Sequence, residues 1–268
     1  MPDSFSTIVG TLRSAGCVFA EDEARLLTAA ARTPGELTAM IGRRAAGLPL
    51  EHVIGWAEFR GLRMAVGPGV FVPRRRTEFL IEQAIGLVPP RAVVVDLCCG
   101  SGALGAALAD ARPGIELHAA DIDPAAVRCA LRNMPAGGRV YEGDLFDPLP
   151  TSLRGRVAVL LANVPYVPTG EVGLLPPEAR EHEARVALDG GADGLEVLRR
   201  VTAEAPAWLA PGGHLLFEAS RRQIPDAVEI VARDGLAPRV VTSEEWDACV
   251  VIGTQGPSRP GATGAAGS

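Results

Sequence analysis

The chain contains no lysine: all 26 basic residues are arginine, in a total of 268 residues. That excludes a Schiff-base lysine and the lysine of a P-loop. Aromatic residues are scarce, at 4% against 47% hydrophobic residues overall, so any core must be built mainly from Ala, Val and Leu. Long apolar runs are missing as well, and none approaches the roughly 18 residues of a membrane helix. The start, Met1-Pro2-Asp3-Ser4, lacks the basic charge of a secretory leader. The five cysteines are odd in number and Cys98 is adjacent to Cys99, which suits neither a disulfide framework nor a metal-ligand spacing. A reduced, cytoplasmic setting is expected. His52, His118, His182 and His214 are scattered and read as surface or packing residues. The formal net charge of -6 argues against wide contact with a phosphate backbone, so no extended nucleic-acid surface is expected.

The chain is long enough for one sizeable core and a small satellite domain. Its first fifty residues read as short helices: Ala20-Glu21-Asp22-Glu23 opens an apolar-periodic segment, Thr33-Pro34 breaks it, and Glu36 to Ala46 forms another. Glu58 to Val66 alternates, and Gly67-Pro68-Gly69 turns into Val70-Phe71-Val72, which suggests a hairpin ended by Pro73. From Val93 apolar runs alternate with helical segments. Strands are expected at Val93 to Cys98, Glu116 to Ile122, Arg139 to Leu145, Val157 to Leu161 and His214 to Ala219. This is the pattern of a doubly wound α/β sheet. Arg239-Val240-Val241 and Ala248 to Ile252 are too close for a crossover helix and must form a hairpin with one antiparallel strand. The expected division is a helical domain over 1–57, a hairpin linker over 58–76, an α/β domain over 77–255 and a disordered tail over 256–268.

Three places carry chemistry. Asp96-Leu97-Cys98-Cys99-Gly100-Ser101-Gly102 runs from a strand through a Gly-containing turn into a helix, where free N–H groups face a ligand. Cys98 stands where a dinucleotide fingerprint wants its first Gly, so the loop alone is weak evidence. Asp121 ends the next strand, placed to accept hydrogen bonds from ribose hydroxyls. Asp96 would repel a pyrophosphate but suits a cation such as S-adenosyl-L-methionine. Asp144 ends the third strand near where an adenine would lie, with Leu145 and Phe146 as apolar contacts. Finally, Asn163-Val164-Pro165-Tyr166 follows an apolar strand; an Asn carbonyl, a stiff X-Pro turn and an aromatic ring suit the aiming of a flat, weakly nucleophilic NH2 group.

In this order, these motifs resemble a class I S-adenosylmethionine-dependent methyltransferase acting on a planar nitrogen. More narrowly, the chain is similar to the protein N5-glutamine methyltransferases that modify the Gly-Gly-Gln motif of peptide chain release factors. The resemblance runs from Arg43 to Ile252. It rests further on Arg43 to Leu50 with Gly55 and Glu58-Phe59, on Phe71-Val72-Pro73-Arg74 with Thr77-Glu78, and on Pro177 to Arg180 leading to Ala187 to Leu195. It implies a Rossmann-like sheet in the order 3-2-1-4-5-7-6, the seventh strand antiparallel, and an N-terminal helical domain that engages a release factor. The chain departs from the family in Val164 for a Pro, in Arg75-Arg76 for Pro-Glu, and in Cys98-Cys99 within the loop.

The resemblance further implies that the Asn163 side-chain oxygen and the Val164 carbonyl accept the two amide hydrogens, with Tyr166 beside the carboxamide. Val can supply that carbonyl as Pro does, but without a ring to fix φ. The cofactor would lie against Asp96, Cys98, Cys99, Gly100, Ser101, Gly102, Asp121, Asp144, Leu145, Phe146 and Asn163. Arg74-Arg75-Arg76 reads as a solvated face or a partner patch, and Glu178 to Glu183 as a surface loop over the cleft. A monomer is expected. Two rival readings stay open: methylation of a nucleic-acid amino group such as adenine N6, and a cofactor-binding module without turnover.

Overall fold

The computed structural model describes residues 4–257. It opens with four helices, α1 (Phe5–Ser14), α2 (Ala20–Ala30), α3 (Pro34–Ala45) and α4 (Leu50–Ile54). The ends follow local chemistry. The Ser4 hydroxyl accepts from Thr7 N at 3.3 Å, the Thr33 hydroxyl accepts from Glu36 N at 3.1 Å, and Pro34 occupies the first turn of α3, where its missing N–H costs nothing. The apolar faces close on one another through Ile8, Leu12, Leu27, Met40, Ile41 and Val53, a core separate from that of the sheet. Buried in this bundle, Arg44 donates to Glu23 at 2.6 and 3.2 Å.

The hairpin differs from the expected one. Strands β1 (Trp56–Phe59) and β2 (Leu62–Ala65) pair with Phe59 opposite Leu62, so the turn is Arg60-Gly61. Both turn residues have positive φ, +48° and +74°, which matches the twist of a two-residue hairpin. Gly67-Pro68-Gly69 makes no hairpin; the chain after it meets Glu183 through a single bridge at Gly69.

The remaining elements are α5 (Glu78–Ile85), β3 (Val93–Leu97), α6 (Ala103–Ala111), β4 (Glu116–Asp121), α7 (Pro124–Asn133), β5 (Arg139–Glu142), β6 (Val157–Ala162), α8 (Pro177–His182), α9 (Glu196–Trp208), β7 (Leu209–Glu218), α10 (Ile224–Arg233), β8 (Ala237–Ser243) and β9 (Ala248–Thr254). The sheet order is β5-β4-β3-β6-β7-β9-β8, with β9 antiparallel to both neighbours. Numbered within the sheet this is 3-2-1-4-5-7-6, the class I methyltransferase order. Alternate residues of β3 serve opposite faces. Val94 belongs to the core that holds Leu80, Leu108 and Leu117 under α5 and α6, whereas Val95 and Leu97 belong to the core of the other face, which also holds Leu198 of α9 and Val231 of α10. Two strand limits move by more than two residues. β5 stops at Glu142 because Gly143 passes so close to Pro148 that a Cβ would lie 2.9 Å from its ring, and Leu145 has φ +47°. β7 starts at Leu209, which pairs with Val157 ahead of a bulge.

Of the tail expected from Gly256, residues 258–268 lie outside the described residues. Among the described residues, no helix is long and apolar enough to cross a membrane.

Replacing Arg44 by Ala strands the Glu23 carboxylate in the helical core. The expected loss is about 3 kcal/mol, read by urea denaturation of the full chain.

Candidate active site

Leu97 pairs with Ala120 on one side and with Ala162 on the other, so three parallel strands end level. The next residues, Cys98, Asp121 and Asn163, therefore emerge together at the carboxyl edge, where the strand order reverses and open α/β sheets bind their ligands. A cavity of about 800 Å³ opens there and has all three in its wall.

The loop after β3 turns through positive φ at Cys98 (+53°), Gly100 (+55°) and Gly102 (+76°). For Cys98 that conformation costs about 1 kcal/mol. It is held in place by β4: Asp121 accepts from Gly100 N at 2.8 Å through one oxygen and from Asp123 N at 2.9 Å through the other. Each oxygen keeps a lone pair for a hydroxyl donor. Cys98, Cys99, Gly100 and Ser101 line the cavity. Burial and the nearby carboxylates of Asp121 and Asp96 push both thiols up, so they are neutral and not nucleophilic. Gly102 is not in the wall; its missing side chain lets the loop pack on α7, where a Cβ would lie 3.2 Å from that of Ala130.

Asp96 is also not in the wall. It lies behind the loop, 1% exposed, accepting from Gly105 N at 2.9 Å with one oxygen while the other has no partner. Burial pushes its carboxyl up to about 7. The strand's alternation explains the difference from expectation, since Asp96 shares the α6 face with Val94. Asp144 lies beyond the end of β5 and accepts from Arg200 at 2.6 Å. The positive φ of Leu145 presents its side chain to the cavity and sends Phe146 into the core, stacked on Trp208 at 5.3 Å. Phe146 is therefore a packing residue. The sequence reading missed Ile122, an exposed apolar residue between two Asp at the cavity rim, together with Val197 and Arg200.

In the turn after β6, Val164 and Pro165 are buried while Asn163 faces the cavity. The Asn163 Oδ1 atom is buried with no hydrogen-bond partner. Among the described residues, no backbone N–H donates to the Val164 carbonyl. Two adjacent acceptors are thus left without protein donors. The back of the turn is braced by the segment 188–194: Val167 N donates to Leu188 O at 3.0 Å, and Gly190 N to Val167 O at 2.8 Å. Buried Gln223 adds a bond from Nε2 to Tyr166 O at 2.9 Å. The fit requires glycine, because a Cβ on Gly190 would lie 2.6 Å from Pro165 O and one on Gly194 would collide with Tyr166 O.

A further part of the wall comes from the segment 69–76, through Gly69, Val70, Phe71, Pro73, Arg74 and Arg76. Buried Glu183 accepts from Val72 N at 3.0 Å and from Arg74 at 2.6 Å, and His52 Nε2 bonds Val70 O at 2.8 Å. Burial raises the Glu183 carboxyl, opposed mainly by the Arg74 cation. The acidic segment is thus helix α8 ending in a buried anchor, not a surface loop. Nor is the arginine triplet a free face: Arg74 pairs with Glu183, Arg75 lies over Trp246 and Arg76 donates to the Tyr166 hydroxyl. Arg44 reaches Glu178 of α8 at 2.8 Å, which ties the helical domain to this wall.

Gly194 has φ +77° as well as no room for a Cβ. Gly194→Ala should cost about 3 kcal/mol or more in chemical denaturation. Asp96 gives a pH prediction. Its folded pKa of about 7 lies above its ordinary 3.8, so between these values the folded state keeps a proton that the unfolded state releases. Stability therefore falls as pH rises through that window and stays lower above it. Asp96→Asn should remove this slope, and its urea midpoint relative to the parent chain should rise between about pH 4.5 and about pH 8.

The methyltransferase small domain family matches residues 63–173. A release factor glutamine methyltransferase of Geobacter sulfurreducens is 39% identical over 208 residues, covering 75% of this chain and 72% of the relative. One from Mycolicibacterium smegmatis is 39% identical over 220 residues, covering 80% and 78%. The crystal structure of a methyltransferase from Pyrococcus furiosus shares the fold, with TM-score 0.56 at 16% identity, covering 74% of this chain and 90% of that one. With relatives of this identity matched over more than two thirds of their length, the chain belongs to the release factor glutamine methyltransferase family.

Proposed function

We propose that the protein methylates the side-chain nitrogen of a glutamine, that of the Gly-Gly-Gln motif of a peptide chain release factor, using S-adenosyl-L-methionine. Family membership supplies the reaction class. The observation that carries the site is the orphaned Asn163 Oδ1 at the cavity wall. A buried acceptor without a donor costs about 1–3 kcal/mol, which a substrate N–H recovers on binding.

The residues at the carboxyl edge fit the cofactor. Asp121 would hold ribose hydroxyls, Leu145 and Ile122 would flank a flat base, and Asp144, also in the cavity wall, would lie at the base end. Burial raises the Asp121 carboxyl, so a cation brought nearby favours its charged form. The bound cofactor supplies an electrophilic methyl on a positively charged sulfur. Asn163 Oδ1 and the Val164 carbonyl each accept one hydrogen of the carboxamide NH2, which fixes the nitrogen plane and aims its lone pair. Tyr166 borders the same cavity. Orientation and exclusion of water provide the acceleration, and the extra proton leaves the product amide to water.

Asn163→Ala should slow methyl transfer by about 100-fold or more while cofactor affinity stays within a few fold, since orientation of the acceptor is lost and the cofactor wall is kept. The assay offers labelled cofactor with a release factor, its Gln-to-Ala variant, and adenine-containing DNA. Label is expected on the first alone. Label on DNA alone would overturn the reading, and label that survives the Gln-to-Ala change would refute the site.

A further inference from the structure

Arg76 has no part in the chemistry described above, yet it joins two walls of the cavity. It lies in the short 3-10 turn Arg75–Thr77. Its Nη2 donates to the Tyr166 hydroxyl, and its Nε lies 3.9 Å from Glu218 Oε1. Thr77 Oγ1 donates to the other carboxylate oxygen, Glu218 Oε2, at 2.6 Å. Glu218 is 6% exposed and ends β7, so it is fixed by the sheet. Arg76 therefore ties the ring of Tyr166 to an immobile anion.

The turn needs such a tie. Its backbone is braced from behind by Gln223 and the segment 188–194, but neither reaches the outer end of the Tyr166 ring. Val164 has no ring to fix its φ. Movement of Tyr166 would be transmitted through Pro165 to the Val164 carbonyl.

We propose that Arg76 is a positioning residue for the acceptor turn, clamping Tyr166 to Glu218 so that the Asn163 and Val164 oxygens stay aimed at the substrate nitrogen. This rests on the reading of the turn as the site that holds the glutamine carboxamide. Burial raises both the Glu218 carboxyl and the Tyr166 phenol, and in each case Arg76 opposes the shift. Removing Arg76 alone leaves a buried acid without its cation, so the paired variant Arg76→Met/Glu218→Gln guards against simple misfolding.

Two measurements test the clamp. The first needs no substrate. The chain has two tyrosines, Tyr141 and Tyr166, so ¹⁹F NMR of 3-fluorotyrosine-labelled protein gives two signals, which Tyr141→Phe assigns. Arg76→Met, or the paired variant, should change the line width and position of the Tyr166 signal and leave that of Tyr141 in place. The second is single-turnover methyl transfer to a release factor. Arg76→Met should be slower by about tenfold with cofactor affinity within about twofold, and Tyr166→Phe similarly slower. Because both act through one contact, the double variant Arg76→Met/Tyr166→Phe should be no slower than the slower single variant. A parental rate in Arg76→Met, losses that multiply in the double variant, or an unchanged Tyr166 signal would each overturn the proposal. If the parent chain itself transfers nothing to a release factor, the glutamine reading fails, and the NMR comparison still decides whether Arg76 holds Tyr166.

Discussion

The parallel pairing of β3 with β4 and β6 is the constraint on which the site depends. Leu97, Ala120 and Ala162 stand side by side, and each is fully or almost fully buried. A one-residue slip in either pairing would send these side chains to the other face and break the close packing of the two cores. The hydrophobic core therefore enforces the register, and the register in turn brings Cys98, Asp121 and Asn163 to one edge. Few catalytic demands fall on the core itself, which explains how Ala, Val and Leu suffice to build it.

Electrostatics at that edge are arranged in two depths. Asp121 and Asp144 stand at the cavity, and Asp96 stands behind it with one unpaired oxygen. Burial raises Asp96 and Asp121 alike. A cation brought to this edge therefore favours the charged forms of both carboxyls, as a sulfonium ligand would, whereas a pyrophosphate would oppose them. In the same surroundings the two cysteines are held as thiols and contribute shape instead of nucleophilicity.

Around the turn after β6, the protein uses close backbone contact where side chains would be too bulky. Gly190 and Gly194 let the chain after α8 lie directly against the carbonyls of Pro165 and Tyr166. On the other side, Glu183 pulls residues 70–74 into the wall, and Arg44 links Glu23 of the helical bundle to Glu178 of α8. The helical domain is therefore mechanically joined to the wall of the site. A protein substrate that contacts those helices would meet the cavity in a set orientation.

The strand-and-helix alternation, the reversed strand at the end, and the motifs at 96–102, 121 and 163–166 were all legible from residue pattern, because periodicity and strand-end position are local properties. So was the family, since the motifs occur in the family's order. Side-chain direction was not local. Asp96 lies two residues before Cys98 and Phe146 next to Leu145, both in the cavity wall, and only the alternation of the strand and the positive φ at Leu145 turn them away from it. The hairpin turn was misplaced because Gly67-Pro68-Gly69 is the stronger local turn signal, whereas pairing of Phe59 with Leu62 puts the turn at Arg60-Gly61. Arg76 and Glu183 lie in segments that read as a solvated face or partner patch and as a surface loop, and Gln223 carries no motif at all. Their partners lie 90, 109 and 57 residues away in the chain, so only the folded structure, by burying one member of each pair against the other, gives them work to do.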